Sequence, residues 1–141
     1  MATKRKRTPR PTLPEGHGPD VLLDVDYEEG LLFLVLKNIG AQPAFDVRVR
    51  FSRQLKGVGG QKIVSAARIF QGLSLLRPGK ELRVFLDLAH LLFRRRKRNQ
   101  FWARVTYRDR RKKLFAERFV HDLDAYRDWG DVRRMAGDDH R

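Results

Sequence analysis

Cysteine is absent from this chain of 141 residues, and the chain contains no long apolar run. Without thiols it cannot form a disulfide, hold a metal ion through thiolates or use a cysteine nucleophile. The longest apolar run, Leu31–Leu36, is far shorter than the roughly 20 residues that cross a bilayer. Residues 1–14 also lack the apolar segment of a secretory signal, so we expect a soluble, cytoplasmic protein without a transmembrane segment.

Acidic residues are far fewer than basic ones: the chain has 17 Asp and Glu against 31 Lys and Arg, which gives a formal net charge of +14. A surplus of this size concerns the partners of a protein rather than its fold. It predicts a polyanionic partner, which is nucleic acid, an anionic membrane surface or an acidic patch on another protein. The charge by itself does not choose among these.

Composition divides the chain into three parts. Residues 1–19 are rich in Lys, Arg and Pro and poor in large apolar side chains, which predicts a disordered basic arm. Residues 20–123 show short apolar alternations separated by turns, and the length fits one domain with its own core. In residues 124–141 apolar side chains recur every three residues, which predicts a short C-terminal helix or tail; they are Tyr126, Trp129, Val132 and Met135.

A two-residue period predicts the strands of the central part. Val21–Tyr27 alternates between apolar and polar residues, as expected for a half-buried strand. Val47–Phe51 directs its apolar residues to one face and Arg48 and Arg50 to the other. Leu31–Leu36 is apolar throughout, which indicates a central strand covered on both faces.

The second half of this part contains the clearest hairpin. Phe101–Tyr107 alternates regularly, and the turn Arg108–Lys113 leads into a second alternating segment, Leu114–Leu123. Between the two halves, Val64–Phe70 fits either a short strand or a helical turn. We therefore predict an all-β protein, an immunoglobulin-like antiparallel β-sandwich of about seven strands, with the basic arm before it and the short helix after it.

Two turn motifs carry a resemblance to a known family. Leu34–Val49 consists of a strand, an Asn38-Ile39-Gly40 corner and a second strand, and Leu76-Arg77-Pro78-Gly79 follows further along. We expect glycine to take the left-handed conformation at the corner, and Pro78-Gly79 to form a tight turn. From Val21 to Leu123 the chain resembles prokaryotic immunoglobulin-like β-sandwiches of the CARDB and cell-adhesion-like type. The resemblance implies binding or scaffolding without naming a ligand.

The residues that enzymes use are present but scattered. No two of the four histidines, His17, His90, His121 and His140, have a metal-ligand spacing, and His121, Asp122 and Asp124 fit the polar end of the last strand. No serine lies in a Gly-x-Ser-x-Gly elbow, and the glycine-rich Gly57–Gly60 has no following Lys-Ser/Thr. We therefore expect a non-enzymatic protein without metal or cofactor.

Basic clusters are the feature that sets this sequence apart. The first precedes the strand Gln100–Tyr107 and the second follows it, so the two should lie at opposite ends of one strand, with Arg104 between them. Such a surface, which Arg48 and Arg50 could extend, would follow a nucleic-acid backbone rather than grip a single phosphate. The candidate polyanion-binding residues are Arg94, Arg95, Arg96, Lys97, Arg98, Arg104, Arg108, Arg110, Arg111, Lys112 and Lys113.

Two functions follow from these observations. The first is a protein-protein interaction or scaffolding module, which the family resemblance favours. The alternative is a nucleic-acid-associated accessory protein that contacts phosphates through the basic loops and arm with little sequence specificity, because nothing in the sequence predicts a groove-reading helix.

Overall fold

The computed structural model describes residues 4–7, 17–95 and 98–127. Within them two short helices, α1 (Arg68–Gln71) and α2 (Ala89–Arg95), accompany the strands, and 3-10 turns span Val64–Ala66 and Leu123–Tyr126. The strands are β1 (Lys4–Arg7), β2 (Val21–Glu28), β3 (Leu31–Asn38), β4 (Ala44–Phe51), β5 (Lys56–Gly57), β6 (Lys62–Ile63), β7 (Leu73–Leu76), β8 (Glu81–Leu88), β9 (Gln100–Arg108) and β10 (Leu114–Asp122).

Two antiparallel sheets form the body of the domain. The larger has five strands in the order β1-β10-β9-β4-β7, and the smaller has three in the order β2-β3-β8. A third, two-residue pairing joins β5 to β6. The predicted all-β, antiparallel sandwich is therefore confirmed. The strand β3 lies between β2 and β8, as its continuous apolar sequence indicated.

The core lies between the two sheets and receives apolar side chains from both. Leu23 and Leu34 come from the smaller sheet, and Val105 and Phe119 come from the larger, each of them fully buried. Burying a side chain of this size stabilises the fold by about 1.5 to 3 kcal/mol. Because inward residues alternate with outward ones, this core also determines which side chains the outer faces present to solvent.

The hairpin of β9 and β10 follows its predicted alternation. Ala103 and Val105 are buried and Arg104 between them is exposed. Pairing runs without a shift from Leu114 opposite Arg108 to Asp122 opposite Gln100. The strand β4 likewise buries its valines and exposes its arginines, so β4 and β9 both have a solvent-exposed outer face.

The corner after β3 differs from the expectation in its backbone. Gly40 does not have a positive φ, whereas Gly79 in the later turn has a φ of 77°. Glycine is needed at position 40 for space, because a Cβ there would lie 2.2 Å from the carbonyl oxygen of Gly18 and 2.6 Å from the backbone nitrogen of Asp20. The corner is thus built on close approach of two backbone segments rather than on a left-handed turn.

Asn38 holds this corner together through its side chain. It is fully buried at the end of β3. Its Oδ1 accepts hydrogen bonds from the backbone of Asp20 (3.1 Å) and Gly40 (2.9 Å), and its Nδ2 donates to the carbonyls of Gln42 (2.8 Å) and Leu76 (3.0 Å). One amide therefore satisfies backbone groups from three separate segments.

The N-terminal segment contributes one strand in the part that the structure describes. Lys4–Arg7 forms β1, which pairs antiparallel with β10 at the edge of the larger sheet. Strand addition of this kind requires only backbone groups and an open edge. Residues 1–3 and 8–16 lie outside the described part of the chain.

The irregular regions adopt short helical turns. Val64–Phe70, which fitted either a strand or a helical turn, forms the 3-10 turn Val64–Ala66 and the beginning of α1. The segment before the basic cluster forms α2. Near the predicted C-terminal helix the structure describes a 3-10 turn that includes Tyr126, while Trp129, Val132 and Met135 lie outside the described residues.

Candidate nucleic-acid interface

The outer face of the larger sheet carries three arginines in one line. Arg104 on β9 lies directly opposite Arg118 on β10 and directly opposite Arg50 on β4. All three are exposed, because their neighbours along each strand point into the core. Residues opposed in this way have Cβ atoms about 4.5 to 5.5 Å apart. We call Arg50, Arg104 and Arg118 the arginine row.

Within the described part of the chain, Arg50 and Arg104 make no hydrogen bond or ion pair through their side chains. Like charges placed directly opposite on neighbouring strands are destabilising. The row therefore concentrates positive charge at a cost to the stability of the fold. A polyanion bound across the three strands would offset that repulsion.

Trp102 is the aromatic residue next to this row. Its side chain is partly buried, and the guanidinium carbon of Arg118 lies 4.2 Å from the centroid of its ring. The backbone around it is fixed, because its N–H donates to the Ser52 hydroxyl (3.0 Å) and its carbonyl accepts from the Ser52 N–H (2.8 Å). The indole is thus held on the outer face at the junction of β9 and β4.

Carboxylates occur near the margins of this face. Asp46 forms an ion pair of 3.0 Å with Arg48, the other outward arginine of β4. At the opposite margin, an oxygen of Asp122 accepts a long hydrogen bond of 3.4 Å from the Gln100 amide. Arg48 therefore has a compensating charge beside it, unlike Arg50.

The first predicted cluster divides between structural and exposed residues. Arg95 donates to Asp87 (2.9 Å), a carboxylate that is 1 % exposed, and to the carbonyl of Lys56 (3.1 Å). The fold itself thus uses this guanidinium. Arg94 and Arg98 are exposed, whereas Arg96 and Lys97 lie outside the described residues.

The second predicted cluster surrounds the turn between β9 and β10. The turn is built on Asp109, whose Oδ1 accepts from the N–H groups of Arg111 (2.8 Å) and Lys113 (2.9 Å). Arg108 donates to the carbonyl of Lys112 (2.9 Å), and Lys113 lies 5.8 Å from the ring of Phe115. Three residues at the tip of this turn are exposed, namely Arg110, Arg111 and Lys112.

The described residues of the two clusters lie at opposite ends of β9, as the sequence predicted, with Arg104 between them. Sequence reasoning missed Arg118, and it offered Arg50 as an addition to the extended surface without placing it opposite Arg104. The hairpin register contains the signal for Arg118: once Leu114 is placed opposite Arg108, Arg118 falls opposite Arg104. No comparable local signal places β4 beside β9.

The polar group at the end of β10 is structural. The Nε2 of His121 lies 2.7 Å from the carbonyl oxygen of Leu23, and burial lowers the pKa of this imidazole, an effect that the Leu23 carbonyl and Asp24 partly offset. Burial raises the pKa of Asp124, but hydrogen bonds from Asn99 and the ion pair with Arg127 outweigh it, so the pKa is lowered.

No helix in the described part of the chain has the length and apolar character needed to span a membrane. No curated protein matches the sequence, and neither does any solved structure. A family model described as a domain of unknown function (DUF8453) matches residues 2–127, and the chain therefore belongs to this family.

Proposed function

We propose that this domain binds nucleic acid through its phosphate backbone, along the outer face of the larger sheet. The observation that carries the proposal is the arginine row, in which adjacent strands direct Arg50, Arg104 and Arg118 to the same side. Guanidinium groups recognise phosphates through planar, bidentate hydrogen bonds. A line of them matches the repeating charge of a backbone.

The exposed cations at both ends of β9 support an extended contact. Arg94 and Arg98 lie before this strand and Arg110 and Arg111 after it, so positive charge flanks the arginine row on two sides. The nine residues of β9 span about 27 Å at ~3.4 Å per residue. A chain of phosphates can follow that length, whereas a single small anion would leave most of it unused.

The same reasoning places the protein-interaction function second. A scaffold module whose partner is not acidic gives no reason for three arginines to oppose one another, because their repulsion would then have no compensation. The proposal includes a cytoplasmic location. It also includes the likeness to CARDB-type sandwiches, and the two-sheet architecture supports that likeness only at the level of fold.

One observation does favour the second candidate. In the described residues β7 is an edge strand of the larger sheet, and its Leu75 is 45 % exposed opposite the partly buried Phe45. An extended peptide can add to such an edge through backbone hydrogen bonds. A Leu75→Lys variant that loses a defined partner, while Arg104→Gln retains it, would support this candidate.

The proposed function is tested by the salt dependence of binding. The logarithm of affinity for nucleic acid should fall linearly with the logarithm of salt concentration, with a slope near −0.7 to −0.9 per phosphate contacted. The double variant Arg50→Gln/Arg104→Gln should bind more weakly and reduce the slope by about 1.5. The matched control is Arg77→Gln/Lys80→Gln, which removes two exposed charges of the β7–β8 turn. It should change both the affinity and the salt-dependence slope less than the double variant does.

Two results would overturn the proposal. One is the absence of binding to any nucleic acid at low salt. The other is tight binding to polyglutamate of matched charge that nucleic acid does not displace, because this would identify an acidic protein surface as the preferred partner.

A further inference from the structure

The outer face of the larger sheet combines the arginine row with two planar side chains. The indole of Trp102 is partly exposed, and the guanidinium of Arg118 stacks on it with 4.2 Å between the guanidinium carbon and the ring centroid. Nucleobases stack on aromatic rings and on guanidinium planes alike. We call these two residues the stacking pair.

The shape of this face does not suit a duplex groove. Neighbouring strands lie about 4.8 Å apart, so β4, β9 and β10 present a broad surface, whereas a groove admits a helix or a two-stranded ribbon. Of the described helices, α1 has 4 residues and α2 has 7, and α2 packs Ala89 and Leu92 into the core. A duplex could therefore offer this face its phosphates but not its bases.

The stacking pair and the arginine row are close enough for one nucleotide to contact both. Trp102 and Arg104 are two residues apart on β9 and share its outer face, a separation of about 7 Å. Arg118 belongs to both groups, because it is opposite Arg104 and stacks on Trp102. A phosphate bound at the row would thus place its base near the indole.

We infer that the ligand is single-stranded nucleic acid, with one base stacked on the pair formed by Trp102 and Arg118. This inference rests on the proposed function, and adds to it the strandedness of the ligand and a contact that depends on the base. The stacking contact tolerates any base sequence, because every base offers a π face. It therefore predicts affinity for single strands in general.

An abasic oligonucleotide separates this inference from simple charge attraction, because it has the same phosphates and no bases. The wild-type protein should bind an oligothymidylate of about 20 nucleotides about tenfold more tightly than the abasic strand of equal length. Trp102→Leu should remove most of that difference, because it weakens binding of the base-bearing strand more than binding of the abasic strand. Arg118→Lys keeps the charge but not the plane, so it should also reduce the difference.

The control is Thr106→Val, a change on the same outer face of β9 beyond Arg104, which should preserve the tenfold difference. Equal wild-type affinity for the base-bearing strand, the abasic strand and a duplex would overturn the inference and leave the proposed function intact. Absence of binding to all three would overturn the proposed function itself. If Trp102→Leu does not fold, a full difference retained by Arg118→Lys would still contradict the stacking pair.

Discussion

Arg95 donates a hydrogen bond of 2.9 Å to Asp87, whose carboxylate is 1 % exposed. Asp87 also accepts from the N–H groups of Gly59 (2.9 Å) and Leu88 (2.8 Å), so it connects α2 to the loop that follows β5. The charge of Arg95 therefore compensates a carboxylate inside the fold.

Arg95→Gln should lower the free energy of unfolding by about 2 kcal/mol, because it leaves a buried carboxylate without its cation. Arg94→Gln is the matched control, since Arg94 is the adjacent exposed residue of the same cluster and should change stability little. Urea unfolding measures both. Equal stability of the two variants would show that Asp87 does not depend on Arg95.

Arg104→Gln should make the protein more stable. Removing the middle charge relieves repulsion toward both Arg50 and Arg118, a gain of about 0.5 kcal/mol at low salt. The gain should shrink as salt screens these exposed charges. Thermal unfolding at two salt concentrations tests this, with Arg110→Gln in the hairpin tip as control, and a destabilised Arg104→Gln would contradict the prediction.

Asn38→Ala should destabilise the domain strongly. The change removes all four hydrogen bonds of this buried amide, at a cost of about 3 kcal/mol. Gln42→Ala is the control, because only the backbone carbonyl of Gln42 takes part. A loss below about 1 kcal/mol in urea unfolding would show that water replaces the amide.

Stability should fall as pH drops below about 6.5, the ordinary pKa of histidine. Burial lowers the pKa of His121 in the folded protein, so between the two pKa values the unfolded chain binds more protons. The stability that neutral His121 contributes is fully present above pH 6.5, and it is lost as the pH falls through the pKa of His121 in the folded protein.

His121→Gln should flatten this part of the pH profile of unfolding, whatever its effect on absolute stability. His90→Gln, at an exposed position on α2, should keep the wild-type slope. A wild-type profile that is flat between pH 7.5 and about 5.5 would contradict the prediction.

The sequence predicted those features that depend on residues close together in the chain. The hairpin of β9 and β10 follows from the alternation around Arg104 and the basic turn, and the tight turn at Gly79 follows from its Pro-Gly pair. The requirement for glycine at position 40 does not follow from a local pattern, because the close approach there involves Gly18, a residue from a separate segment. The ion pair between Arg95 and Asp87 also does not follow from a local pattern, because it depends on how α2 packs beside the end of β8.

The candidate site shows the same division. The sequence identified the basic clusters and the outward direction of Arg50 and Arg104. It did not identify the arginine row, because that row depends on β4 pairing with β9, and the four strands β5 to β8 lie between them in the chain. Such pairings are set by the packing of two whole sheets, which no short segment encodes.

If the domain binds a polyanion as proposed, the register of β1 connects that binding to the pairing of the N-terminal strand. Lys6 is the residue opposite Arg118, so β1 extends the line of basic positions across a fourth strand. By thermodynamic reciprocity, if pairing of β1 raises affinity for a polyanion, the polyanion strengthens that pairing by the same factor. The width of the binding surface is then an equilibrium property, set jointly by the ligand and by a four-residue strand at the edge of the sheet.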